Sequence, residues 1–209
     1  MRLEACVETL EECVLAQERG AQQLELCGNL AEDGLTPPLE LVRQVLQKIS
    51  IPVKVMVRPR PGNFRYSEGE LATMESDIIA FRALPIAGIV LGALQADQTI
   101  DLFATHRLAQ LAGKLSVTFH KAIDATPDPV EAYRQLLTIP GITHVLSSGG
   151  ASTAWEGRAP LKEMIRIGTD HIRVIPAGKI LPTNLSELDA YLGAETYHGR
   201  RIVGSLEVL

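Results

Sequence analysis

The sequence predicts a (β/α)8 barrel, and three observations predict it. Eight short segments with strand character alternate with segments of helical periodicity along the chain, an order that demands a parallel sheet with helical crossovers. Five of the strand segments carry a polar face opposite an aliphatic one, as expected where one side meets helices and the other a barrel axis. The first strand-to-helix turn, Cys6-Val7-Glu8, has none of the glycines that an open doubly wound sheet needs there.

Leu3–Val7 reads as the first strand, followed by a helix from Glu8 or Thr9 to about Arg19, where Gly20 stops it. Gln23–Cys27 is the second strand, with a helix over Pro38 to Lys48. Val53–Arg58 is the third, running into the rigid loop Pro59-Arg60-Pro61-Gly62. Ser67 and Glu70 form a capping box for a helix reaching about Leu84. Ala87–Leu91 is almost wholly apolar, the mark of a strand buried on both faces, and a helix spans Asp101–Ala112. Leu115–Lys121 is the fifth strand, and Asp128-Pro129 opens the next helix. Thr143–Ser147 is the sixth strand, closed by Ser148-Gly149-Gly150, and the helix after it ends near Ile167. Ile172–Pro176 and Thr196–Gly199 are the last two strands, with a helix from about Asn184 to Leu192 between them. Only Arg200–Leu209 remains, so the final helix is expected to be short or missing.

The chain has 209 residues, 46% hydrophobic and 22% charged, enough for one substantial core in one domain. A net charge of −5 with no basic run argues against nucleic acid and anionic membranes as partners. No apolar run is long enough to span a bilayer. Three cysteines without a CxxC pattern, and no secretory signal before the first strand, point to a reducing cytoplasm.

Period-2 alternation assigns the faces. Leu3, Ala5, Leu24, Leu26, Val53, Val55, Val57, Val117, Phe119 and Tyr197 should face the helices. Glu4, Cys6, Glu25, Cys27, Lys54, Met56, Arg58, Ser116, Thr118, His120 and His198 should face the axis. Cys6 and Cys27, on neighbouring strands, should lie close together. The richest polar members fall at the C-terminal ends of the strands, where sites of this architecture sit.

With those residues placed, the chain resembles the CutC copper homeostasis family. The likeness rests on EACVE at Glu4–Glu8, ELC at Glu25–Cys27, GLTP at Gly34–Pro37 and VMVRPR at Val55–Arg60. It continues through VLG at Val90–Gly92, TFHKAID at Thr118–Asp124, SSG at Ser147–Gly149 and PAGKILPTN at Pro176–Asn184. The resemblance implies a compact TIM barrel in the cytoplasm, a homo-oligomer, and Cu(I) bound at Cys6 and Cys27. Ala177-Gly178-Lys179 and His198-Gly199-Arg200 depart from the family pattern.

Soft thiolates suit Cu(I), and Met56 offers a thioether; the alternative is that the cysteines are small buried packing residues, as is expected for Cys13. Glu4 and Glu25 could pair with Lys54 or Arg58, since buried charges need partners. A rival reading is a small-molecule enzyme using Glu25, Arg58, His120 and Asp124, with Asp124 orienting His120; a third is a barrel that serves a protein contact. Arg58, Arg60, Lys121 and the backbone amides at Gly149, Gly150, Gly178 and Lys179 are candidates to hold a small anionic molecule at the mouth. His106, His144 and His171 read as surface or helix-packing positions, and Trp155 as a pocket or interface residue.

Overall fold

The computed structural model describes residues 1–168 and 171–207. Its strands are β1 (Arg2–Val7), β2 (Gln23–Leu26), β3 (Val53–Met56), β4 (Gly88–Leu91), β5 (Ser116–Phe119), β6 (Ile142–Ser147), β7 (Arg173–Pro176) and β8 (Thr196–Gly199). Between them lie α1 (Leu10–Glu18), α2 (Leu39–Lys48), α3 (Glu68–Arg82), α4 (Leu102–Ala112), α5 (Pro129–Leu136), α6 (Arg158–Ile167) and α7 (Leu185–Leu192). All ladders are parallel, in the order β7-β6-β5-β4-β3-β2-β1-β8. β1 therefore joins the last strand to the second. β7 and β8 meet at the remaining seam, with no ladder between them among the described residues. The expected (β/α)8 barrel forms, and after β8 residues 200–203 make a turn, with no eighth helix among the described residues that follow.

Local chemistry explains the helix starts. Thr9, Ser67, Asp101 and Asp128 each accept a hydrogen bond from a backbone N–H of the first turn, and Ser67 with Glu70 completes the capping box. Helices bury one stripe each, such as Leu71, Met74, Ile78 and Phe81 of α3.

The face assignment follows the alternation. Ala5, Leu24, Leu26, Val53, Val55, Val57, Val117, Phe119 and Tyr197 belong to the layer between sheet and helices. Cys6, Cys27, Met56 and Val90 form a separate small cluster on the axis, and Leu146, Ile175 and Ala177 another. Two strands end earlier than the alternation suggests. At β3, Val57 N still donates to Val90 O, but Arg58 N turns to the Thr36 hydroxyl as the chain enters Pro59. At β5, Lys121–Ala125 forms a 3-10 turn capped by His120. Both early endings swing polar side chains over the C-terminal mouth.

Candidate metal centre

The barrel floor is built on Glu4, a fully buried carboxylate of β1. Lys54 of β3 approaches it at 3.0 Å and His198 Nδ1 of β8 at 2.9 Å, while Gln23 of β2 donates its amide to the same carboxylate. Burial drives the Glu4 carboxyl up, yet the Lys54 ammonium and then His198 hold it well below the usual range. Burial likewise disfavours charge on His198, but Glu25, Cys6 and Glu4 together raise it well above an ordinary histidine. The floor is thus one carboxylate between two cations.

Directly above it lie Cys6, Glu25 and Cys27. The parallel register pairs Cys6 with Glu25 across β1 and β2, and Cys27 follows Glu25 by two residues on the same face. Cys6 Sγ and Cys27 Sγ are 3.9 Å apart; Glu25 Oε1 lies 3.7 Å from the first and 3.6 Å from the second. His198 Nε2 is 3.9 Å from the same oxygen, and Glu25 Oε2 is buried without a partner. The contact with Cys27 is the main influence on Cys6 and, with His198 opposing the effect of burial, it pulls that thiol well below the ordinary range. Cys27 is pushed up by the same contact and by burial, and Glu25 is pushed up chiefly by burial. The contact between the sulfurs thus favours one thiolate in the pair, with the His198 imidazole beside it.

Two sulfurs and one oxygen at these separations make a nearly equilateral triangle. The point equidistant from the three atoms lies about 2.2 Å from each, the length of a metal–thiolate or metal–carboxylate bond. Cys6, Glu25 and Cys27 thus fit a three-coordinate ion, with Met56 beside them in the same buried cluster. Glu4, Glu25 and His198 also converge, but Lys54 and Gln23 already claim Glu4.

A cavity of about 420 Å³ opens above this triangle. Arg58, His120 and Asp124 all line it, together with Phe64, Lys121 and Leu146. Their partners differ from those the sequence suggested. Arg58 does not pair with Glu25; it donates to the carbonyls of Glu32 (2.8 Å), Gly34 (3.0 Å) and Gly62 (3.2 Å). Asp124 does not orient His120. Its carboxylate accepts from Ser147 Oγ, from Ser148 N and Oγ, and from Gly150 N. The backbone cradle after β6 is therefore filled by the protein's own anion, and Gly149 N donates to Ser147 Oγ.

Arg60 points elsewhere, tied to Glu70, Asn63 and the Arg65 carbonyl. Gly178 and Lys179 line a different depression beside Trp155, where Arg158 packs over the Trp155 and Tyr191 rings. Cys13 is buried in α1 as a packing residue. His144 is a correction: it lies level with inward Thr118 in the β5–β6 register, and burial and Lys54 lower it to about 4. Alternation with Leu146 in β6 was the available signal. Gln23, two residues before Glu25 on the same strand, was legible in the same way.

The floor pairing predicts a strong asymmetry. Lys54→Met should cost about 3–5 kcal/mol by leaving Glu4 buried without its ammonium, and Glu4→Gln in the same chain should recover much of that loss in urea titrations. Two neutral histidines, His120 buried and His144 half-buried, predict an acid limb. His120 is lowered to about 3, mainly by burial, and His144 to about 4. The unfolded chain takes up these protons near pH 6.5 and the native chain does not, so native stability falls as pH drops from about 6.5 toward 4. His120→Phe should flatten that limb in urea midpoints measured against pH.

Against known proteins, a family model described as the CutC family matches residues 1–203. A family protein CutC of Histophilus somni is 38% identical over 215 residues, spanning 100% of this chain and 88% of the relative. The copper homeostasis protein cutC homolog of Homo sapiens is 39% identical over 196 residues, covering 94% of this chain and 71% of its own length. The crystal structure of a CutC protein from Streptococcus agalactiae superposes with a TM-score of 0.89 at 31% identity, covering 97% of this chain and 99% of that one. A phosphonopyruvate hydrolase in complex with oxalate and Mg²⁺ matches at a TM-score of 0.69 and 14% identity, a likeness of fold alone. With a family model that covers nearly its whole length and a barrel that overlays a family structure end to end, the chain belongs to the CutC family.

Proposed function

We propose that this chain is a cytoplasmic copper homeostasis protein that binds Cu(I) through Cys6 and Cys27, with Glu25 as the third donor. The observation that carries the reading is the triangle of Cys6 Sγ, Cys27 Sγ and Glu25 Oε1, with sides of 3.6 to 3.9 Å in a buried pocket. Two thiolates select a soft monovalent ion, and three protein donors fall one short of a closed tetrahedral zinc set. The names of the human and mouse relatives, copper homeostasis protein cutC homolog, support the same reading.

Each residue has a definite part. His198, beside Cys6, favours the thiolate that a soft ion needs, and the Glu4–Lys54 pair fixes the His198 ring from below. Cys27 and Glu25 give up their protons as the ion enters, so affinity should rise with pH. The three unpaired cysteines fit a reducing compartment, and no helix of the described residues is long and apolar enough to cross a membrane. A homo-oligomer, which the family resemblance implies, is part of the proposal.

Under reducing conditions the protein should withdraw Cu(I) from a coloured Cu(I) chelator. Cys6→Ser combined with Cys27→Ser should abolish the competition, while Cys13→Ala should leave it intact. Undiminished competition by the double variant would contradict the assignment.

A further inference from the structure

An ion held between Cys6, Cys27 and Glu25 would fill a small fraction of the 420 Å³ cavity above it. The walls of that cavity hold an unused donor. His120 is 4% exposed, and its Nδ1 accepts a hydrogen bond from Ala122 N at 3.2 Å. With Nδ1 accepting and the ring neutral, the proton sits on Nε2. That Nε2–H is buried and has no acceptor in the described protein. The ring is deliberately accommodated: a Cβ on Gly92 would lie 2.6 Å from it, and Phe64 packs on its other side at 4.9 Å between centroids.

A second donor adjoins the first. Arg58 lies over the Phe64 ring at 5.0 Å, and its Nε is also buried without an acceptor. A buried donor left without an acceptor costs about 1–3 kcal/mol; both residues line the cavity, and a ligand oxygen that reached His120 Nε2 on a small turn of the ring would recover that cost. The rest of the wall selects among anions. Phe64, Met56 and Leu146 give it an apolar body, whereas Asp33 and Asp124 oppose a doubly charged ligand. The backbone cradle that would grip a phosphate is taken by Asp124.

We propose that the mouth cavity is a binding site for a small monocarboxylic acid with an apolar body, its carboxylate accepting from His120 Nε2–H beside the Arg58 guanidinium. The site has Cys6 and Glu25 of the copper triangle in its floor and does not require metal.

The test is a calorimetric titration of metal-free protein in EDTA with sodium benzoate and with 4-methylpentanoate. Benzyl alcohol, which lacks the carboxylate, and inorganic phosphate are the comparison probes. At least one of the two acids should bind, while benzyl alcohol and phosphate should not. Nitrogen-15 spectra of the histidine rings should show His120 as the Nε2–H tautomer, with that proton moving downfield on addition of the acid. His120→Phe fills the same space without the donor and should weaken binding about ten- to a hundredfold. His120→Gln, which restores an N–H, should recover part of it. Arg58 also holds three backbone carbonyls, so the histidine variants carry the test. Absence of binding by either acid at 10 mM, equal binding by folded His120→Phe, or tighter binding of phosphate than of the acids would overturn the proposal. Since no copper is present, none of these outcomes bears on the metal reading.

Discussion

Everything on the barrel axis depends on the burial of one negative charge. Glu4 has no access to solvent, and a carboxylate there is tolerable only because Lys54 and His198 reach it from β3 and β8 while Gln23 donates from β2. Four of the eight strands are thereby tied to one carboxylate. Hydrophobic layering between sheet and helices would hold a barrel of this kind together by itself. The polar axis is an added constraint, and its value is that it fixes His198 with one nitrogen on Glu4 and the other toward Glu25.

From that floor the chemistry builds upward in layers. The contact with Cys27 and then His198 lower the Cys6 thiol, while the Cys6 contact with burial raises Cys27 and burial above all raises Glu25. The layer stays protonated enough to avoid three bare anions in contact, and under the proposed function it gives up those protons to a soft cation. Above it, the mouth is arranged around internal satisfaction. Asp124 quenches the Ser147–Ser148–Gly150 cradle, and Arg58 clamps the loops carrying Glu32, Gly34 and Gly62. What these two leave over, a donor on His120 and one on Arg58, defines the chemistry still open at the mouth.

Much of this was legible in the residues because the strand period is strict. A two-residue repeat sorts Leu24 and Leu26 from Glu25 and Cys27 without further information, and parallel register then brings Cys6 beside Glu25. Alternation says which way a side chain points and not which partner it meets. Arg58 chose loop carbonyls over Glu25, and Asp124 chose amides and hydroxyls 23 to 26 residues away over His120. Both choices are made by loops, whose path no periodicity encodes. Arg60 shows the same limit: it lies two residues from Arg58, yet the turn carries it to Glu70 outside the cavity. His144 escapes a reading by pattern because a strand with one polar and one apolar residue inside looks like a surface strand.

The central claim is that the paired thiols and Glu25 form one three-donor site on the axis. X-ray absorption at the copper K edge of Cu(I)-loaded protein addresses it most directly. The account predicts a first shell of two sulfur scatterers and one oxygen scatterer at about 2.2 Å, the centre of the triangle set by Cys6, Cys27 and Glu25. A shell of nitrogen and oxygen alone would contradict it.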